Sequence, residues 1–403
     1  MDDELFDEFP GKRADVCPFD PPPALTSLRE SGRLVRVRSA DGHNPWLITG
    51  YQDGRTALAD PAFSADPTMP GWSEKGDAFR ATLGTDKNLR TMDDPEHAAQ
   101  KRMLVQEFTV KRLSAMQPAI RKIVDDRLEE LAVGPQPADL ISQFTMQVPI
   151  VVICELLGVP YEDSEFFAER SEKAIGDSTY EEAAQAGADL REYVVDLVAK
   201  REREPNDGLI SRIIAQHVAS GAMSRRELID TVRLLIIAGF ETTANQLGMS
   251  ILVLLQHPDI LAEIRDTDDE ALINNAVEEL LRFLSIVHQG RRRVAVRDVE
   301  VAGCPIRAGQ PIIVAANTGD RDPAVFPNPD VLDIRRPNAK AHVAFGYGIH
   351  QCLGQHLSRM ELRYAIPALL RRFPGLQLAV PFDEISFKEG ATVYGAATLP
   401  VRW

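Results

Sequence analysis

Phe345-Gly346-Tyr347-Gly348-Ile349-His350-Gln351-Cys352-Leu353-Gly354 places one cysteine inside a glycine-rich loop. A stretch of helical character follows, from about Leu353 to Phe373. A thiolate at the start of a helix is stabilised by free backbone N–H groups and by the helix dipole. Glycines at 346, 348 and 354 permit backbone angles that a Cβ would forbid and let a flat ligand come close. Such a loop suits a cysteinate that holds a haem iron from one side.

The surrounding chain excludes several classes. Its 403 residues carry a net charge of −15, which argues against general nucleic-acid binding. The 44% hydrophobic content is enough for a large core. The start, Met1-Asp2-Asp3-Glu4, has neither the positive charge nor the apolar run of a secretory signal. The most apolar stretch, Leu234 to Gln256, is interrupted by Glu241, Thr242, Thr243 and Asn245. A carboxylate in mid-span is costly in lipid, so a buried core helix is expected, with no membrane partner and a cytoplasmic location. Four scattered cysteines (Cys17, Cys154, Cys304, Cys352) suit a reducing compartment and form neither a disulfide framework nor a zinc site.

Helical periodicity dominates from about Pro95 to Leu284. Helices are expected over Lys101–Gln106, Ile120–Leu131, Ala186–Arg203, Leu228–Gln256 and Asp268–Phe283. Strand signals are short. Leu34–Arg38 with Trp46–Thr49 reads as a hairpin, Arg293–Val301 with Ile306–Ala315 as strand pairs around a Gly-Cys-Pro turn, and Val393–Trp403 as a final strand region. The expected fold is mostly α with small β-sheets, one domain over 1–403 whose proline-rich residues 1–25 form an N-terminal arm.

The central helix carries Ala238-Gly239-Phe240-Glu241-Thr242-Thr243. Ala238 and Thr242, four apart, share a face. A small patch followed by an acid and an alcohol can pass over a flat cofactor and leave room for a diatomic ligand. The next helix ends in Glu279-Leu280-Leu281-Arg282, a carboxylate and a guanidinium three apart. Buried, such a pair can be bidentate and rigid.

Phe-x-x-Gly-x-His-x-Cys-x-Gly resembles the haem-ligand loop of the cytochrome P-450 superfamily, with every fixed position filled. The small-Gly-x-acid-Thr run resembles its oxygen-binding helix, with Phe240 where many members have histidine, and Glu-x-x-Arg resembles its supporting helix. The tail from Leu369 to Trp403, Glu107–Leu113 and Ala-Gly-Phe-Glu-Thr-Thr-Ala-Asn are similar to soluble actinomycete, Streptomyces-type members. The resemblance implies the P-450 fold along the whole chain and haem b (iron protoporphyrin IX), with Cys352 as its iron ligand. It assigns Thr242 to hydrogen-bonding dioxygen and Glu241 to proton relay, with Ala238, Gly239, Phe345, Gly346 and Gly354 against the cofactor.

Propionate contacts are implied for His97, Lys101, Arg293 and His350. Lys101 stands where arginine is common, and Arg102 beside it is a second candidate. Glu279 and Arg282 are structural. A basic third partner is expected near Phe326–Asp330; this chain has Val331 there, leaving Arg335 or Arg336 as substitutes. The substrate pocket is expected around Leu235, Ile236, Ile286, Val287, Thr392 and Val393, with the 72–89 loop and the 166–190 region.

The implied activity is a monooxygenase that inserts one atom of O2 into a bulky, largely apolar small molecule, by hydroxylation or epoxidation. No flavin-type or Gly-x-Gly-x-x-Gly segment is present. Electrons are therefore expected from a ferredoxin with an NAD(P)H-dependent reductase, docking on basic residues drawn from Lys111, Arg112, Arg335, Arg336, Arg359 and Arg363. The alternatives are a P-450 of peroxygenase or oxidative-coupling chemistry and a non-enzymatic haem-binding protein. Retention of Glu241 and Thr242 favours the oxygenase.

Overall fold

A computed structural model describes residues 5–7, 9–13, 17–39, 41–73, 87–175 and 179–403. Most of the expected 72–89 pocket loop lies outside these.

The helices that build the core are α1 (Pro23–Ser31), α2 (Tyr51–Ala59), α3 (Glu96–Val105), α4 (Val110–Val133), α5 (Gln147–Leu157), α6 (Ser164–Ile175), α7 (Tyr180–Arg203), α8 (Arg225–Leu255), α9 (Pro258–Asp266), α10 (Glu270–Leu284) and α11 (Gln355–Arg372). Each expected helix is present, and most run longer than their periodicity suggested. Thr109 explains the early start of α4: its side chain accepts from Arg112 N. Reciprocal capping boxes open α7 at Thr179/Glu182 and α8 at Ser224/Glu227.

The apolar run is the central helix α8, buried on nearly every face. It packs against α5, α6, α7, α10 and α11. Among the described residues no single helix is long and apolar enough to cross a membrane. One face of α8 departs from this burial: Ala238 is exposed, and Leu235, Gly239 and Thr242 are half-exposed.

A six-stranded sheet flanks the helices. Its strands are β1 (Leu5–Phe6), β2 (Val35–Val37), β3 (Trp46–Ile48), β4 (Phe63–Ser64), β5 (Arg291–Ala295) and β6 (Pro311–Val314), in the order β1-β2-β3-β6-β5-β4. The expected hairpin is the antiparallel β2–β3 pair. The Gly-Cys-Pro turn is not where it was expected. Cys304 and Pro305 lie in a strand paired with Val299–Val301, and the reversal falls on Ala302 and Gly303, both at positive φ. Of the expected last strand only Pro400–Arg402 is continuous, paired with Gln377–Leu378 and Ala138–Asp139.

Candidate active site

Cys352 sits just ahead of α11, with the N–H groups of Gly354 and Gln355 directed at its sulfur. Burial pushes the thiol pKa up; those N–H groups, Arg291 and Arg359 oppose the shift and stabilise the thiolate. The residue as a whole is exposed. The loop before it is fixed internally by Cys352 N donating to Phe345 O (2.9 Å) and Gly346 N to Val343 O (2.8 Å).

Gly346 and Gly348 have φ of +77° and +74°. A Cβ on Gly348 would stand 2.5 Å from the Leu58 carbonyl oxygen, so only glycine fits. Gly354 needs no such freedom: it is the residue ahead of α11, with φ of −80°.

Distant elements hold this loop. Arg55 on α2 donates to the Tyr347 hydroxyl (2.7 Å) and stacks on its ring. Arg291 on β5 donates to Ala344 O (2.7 Å), and buried Asp320 accepts from Val343 N (2.7 Å). Glu278 on α10 binds Arg359 through two hydrogen bonds of 2.8 and 2.9 Å and accepts from His342 at 3.1 Å. Arg359 in turn lies over the Phe345 ring, 4.5 Å from its centroid.

Glu279 and Arg282 form the rigid pair, at 2.7 and 2.8 Å, both fully buried. Arg336 completes it, its Nε 3.1 and 3.0 Å from the two carboxylate oxygens, with a further bond to the carbonyl of Val331. Arg335 instead pairs with Glu263 at the surface.

The residues expected to bind the propionates converge, with one exception. His97 is buried, its ring 4.4 Å from that of His350. Lys101 reaches across to the carbonyl of Ile349. Arg293 is buried near His350; burial, with Arg291 and Arg90 close by, pulls its pKa down to about 10. Burial, Arg293 and His97 push His350 down to about 3. Arg102 is not part of this group: it lies exposed on α3. Arg291 was missed. On a strand, positions 291 and 293 share a face, so the period of two within Arg291-Arg292-Arg293 carried the signal.

This donor set fits a haem. Arg291 Nη1 and His350 Nδ1 are buried without a hydrogen-bond partner. The guanidinium groups of Arg291 and Arg293 require anions, and two propionates would supply them, with His97 and His350 as uncharged hydrogen-bonding imidazoles. Cys352, the one exposed cysteine among the described residues, would supply the sulfur ligand to the haem iron.

On α8, Thr242 Oγ1 donates to the Ala238 carbonyl (2.9 Å), and Asn245 Nδ2 donates to the Glu241 carbonyl (2.8 Å). Glu241 is buried and its Oε2 has no partner. Burial lifts its pKa to about 7, tempered by Lys388 and reinforced by Glu172. A Cβ on Gly239 would lie 2.9 Å from Ile153 Cδ1, so its small size also serves the packing of α8 against α5. Of the expected pocket residues, Leu235, Val287 and Thr392 keep accessible surface, whereas Ile236, Ile286 and Val393 are core residues. Tyr394 N donates to Ile286 O (2.9 Å) and brings the two pocket segments side by side.

The cytochrome P450 family model matches residues 41–378. The chain belongs to the cytochrome P450 family. Pentalenic acid synthase of Streptomyces avermitilis is 44% identical over 98% of this chain and 97% of its own. Vitamin D3 dihydroxylase of Streptomyces griseolus is 41% identical over 98% and 96%. The crystal structure of GfsF superposes with a TM-score of 0.92 at 41% identity, covering 99% of this P450 and all of that chain. The expected fold class and family therefore hold, and the protein is a haem-iron oxidoreductase of the monooxygenase class.

Proposed function

We propose that this P450 hydroxylates or epoxidises a bulky, largely apolar small molecule, with haem b held through Cys352 and electrons from a ferredoxin and its NAD(P)H-dependent reductase. One observation carries the reading: an exposed cysteine at a helix start, in a chain where the arginines Arg291 and Arg293 and the uncharged imidazoles of His97 and His350 gather beside the same loop. When bound, haem iron supplies dioxygen activation, which no side chain provides.

The chain's own groups do the rest. The N–H groups of residues 354 and 355 would stabilise Cys352 as the thiolate when iron binds it. His97, Lys101, Arg291, Arg293 and His350 orient the propionates. Thr242 has committed its proton to the Ala238 carbonyl, so its oxygen is presented as an acceptor on the Ala238 face. Glu241, with a pKa of about 7, takes and releases a proton at Oε2 near neutrality. Leu235, Val287 and Thr392 present apolar contact surface to the substrate. The relatives named pentalenic acid synthase and vitamin D3 dihydroxylase support the substrate class. A cytoplasmic setting with a diffusible ferredoxin accords with it.

The test is optical and then catalytic. Reduced, carbon-monoxide-bound protein should show the red-shifted band of sulfur-ligated haem, and Cys352→Ala should lose it. A panel of apolar compounds read by haem spin-state change, followed by turnover with a surrogate ferredoxin system, identifies the substrate. A normal band in Cys352→Ala, or turnover driven by peroxide but not by ferredoxin, would overturn the proposal.

A further inference from the structure

Glu278 has no part in the Glu279–Arg282–Arg336 cluster, although it precedes Glu279 on the same helix. It faces the other way, toward the cysteine loop. Its carboxylate is buried and binds three groups: Arg359 through both oxygens at 2.8 and 2.9 Å, His342 at 3.1 Å and Arg363 at 3.5 Å. Burial pushes its pKa up, but His342 and Arg359 outweigh this and hold it at about 2, so it carries a full negative charge at working pH.

Two of these partners grip the loop. His342 Nδ1 accepts from Ala344 N (3.2 Å), and the Arg359 guanidinium is held over the Phe345 ring. The Phe345 carbonyl accepts the N–H of Cys352. A continuous line therefore runs from Glu278 through Arg359 and Phe345 to Cys352. Arg359 also stabilises negative charge on that sulfur directly. Its side chain is only 13% exposed, so the arginine is placed to act inward on the sulfur more than outward on a partner.

We propose that Glu278 and Arg359 are positioning residues that set the electron affinity of the iron carried by Cys352: Arg359 raises it by stabilising the sulfur's charge, and Glu278 fixes Arg359 in place and offsets part of its field. The inference rests on Cys352 being the haem ligand. Groups just outside the ligand shell tune a metal in this way, and a charge in a low-dielectric interior acts over several ångströms.

The holoenzymes of wild type, E278Q, R359Q and R359K are compared by spectroelectrochemical titration of the ferric/ferrous couple, after each has shown the sulfur-ligated reduced carbon-monoxide band. The expected result is opposite signs. E278Q removes a negative charge and moves the potential positive; R359Q removes a positive charge and moves it negative; R359K, which keeps the charge, stays nearer wild type than R359Q. Shifts of one sign in E278Q and R359Q, or R359K displaced as far as R359Q, would show mere packing and overturn the proposal. Should E278Q fail to hold haem, the R359Q and R359K pair decides alone. A wild type without the sulfur-ligated band would instead overturn the ligation reading beneath it.

Discussion

At the residue scale, Glu241 is the side chain whose environment does most to define its chemistry. A buried carboxylate with one oxygen unpartnered has its charged form disfavoured, and the pKa of about 7 follows. Removing the acid as Glu241→Gln should lower ferredoxin-driven product formation about 10²-fold. The inflection near neutral pH in the wild-type profile should vanish with it. Stability gives a second reading. Because the folded pKa is raised from 4.5, the folded state favours the protonated form, and stability falls as pH rises through about 7. Glu241→Gln should therefore raise Tm at alkaline pH and leave it nearly unchanged below about pH 4.5. Thermal unfolding followed at several pH values checks this.

At the scale of elements, α8 is shaped by two requirements. One face stays small, as the proposed cofactor contact requires, and a neighbouring position stays small for α5. Gly239→Ala should lower Tm by overpacking, at a cost of about 1–3 kcal/mol, through the contact with Ile153. Adding Ile153→Val, which deletes the contacting methyl, should recover much of the loss, as a double-mutant cycle would show. The glycine motif was legible from sequence, but its reason was not, because Ile153 lies on another helix. The same limit explains Arg336. Glu279 and Arg282 are three apart on one helix and could be paired on sight, whereas Arg336 reaches them from 57 positions beyond Glu279 and stood level with Arg335. Helices α7 and α8 were legible because their periodicity is long; the short strands blurred because two or three residues hold little pattern.

At the scale of the molecule, the Glu279–Arg282–Arg336 cluster ties α10 to the irregular segment that leads to the cysteine loop. Arg336→Ala leaves a buried carboxylate short of one partner, and should cost about 3–5 kcal/mol in chemical unfolding. Docking of the proposed ferredoxin belongs to this scale too. Of the basic residues expected to form the face, Arg336 is buried in the cluster and Arg359 is clamped by Glu278, which leaves exposed Lys111 and Arg335 with half-buried Arg112 and Arg363. Reduction by an acidic ferredoxin should slow as ionic strength rises, and Lys111→Glu should weaken that dependence, measured by stopped-flow.

The tethers of the cysteine loop come from residues 55, 278, 291 and 320, spread over most of the chain. Pigment uptake thus reports on assembly of the entire polypeptide. A mildly damaged variant, wherever its lesion, should first be purified pale and only later be lost as insoluble material, so the ratio of Soret to protein absorbance grades foldedness more finely than yield does.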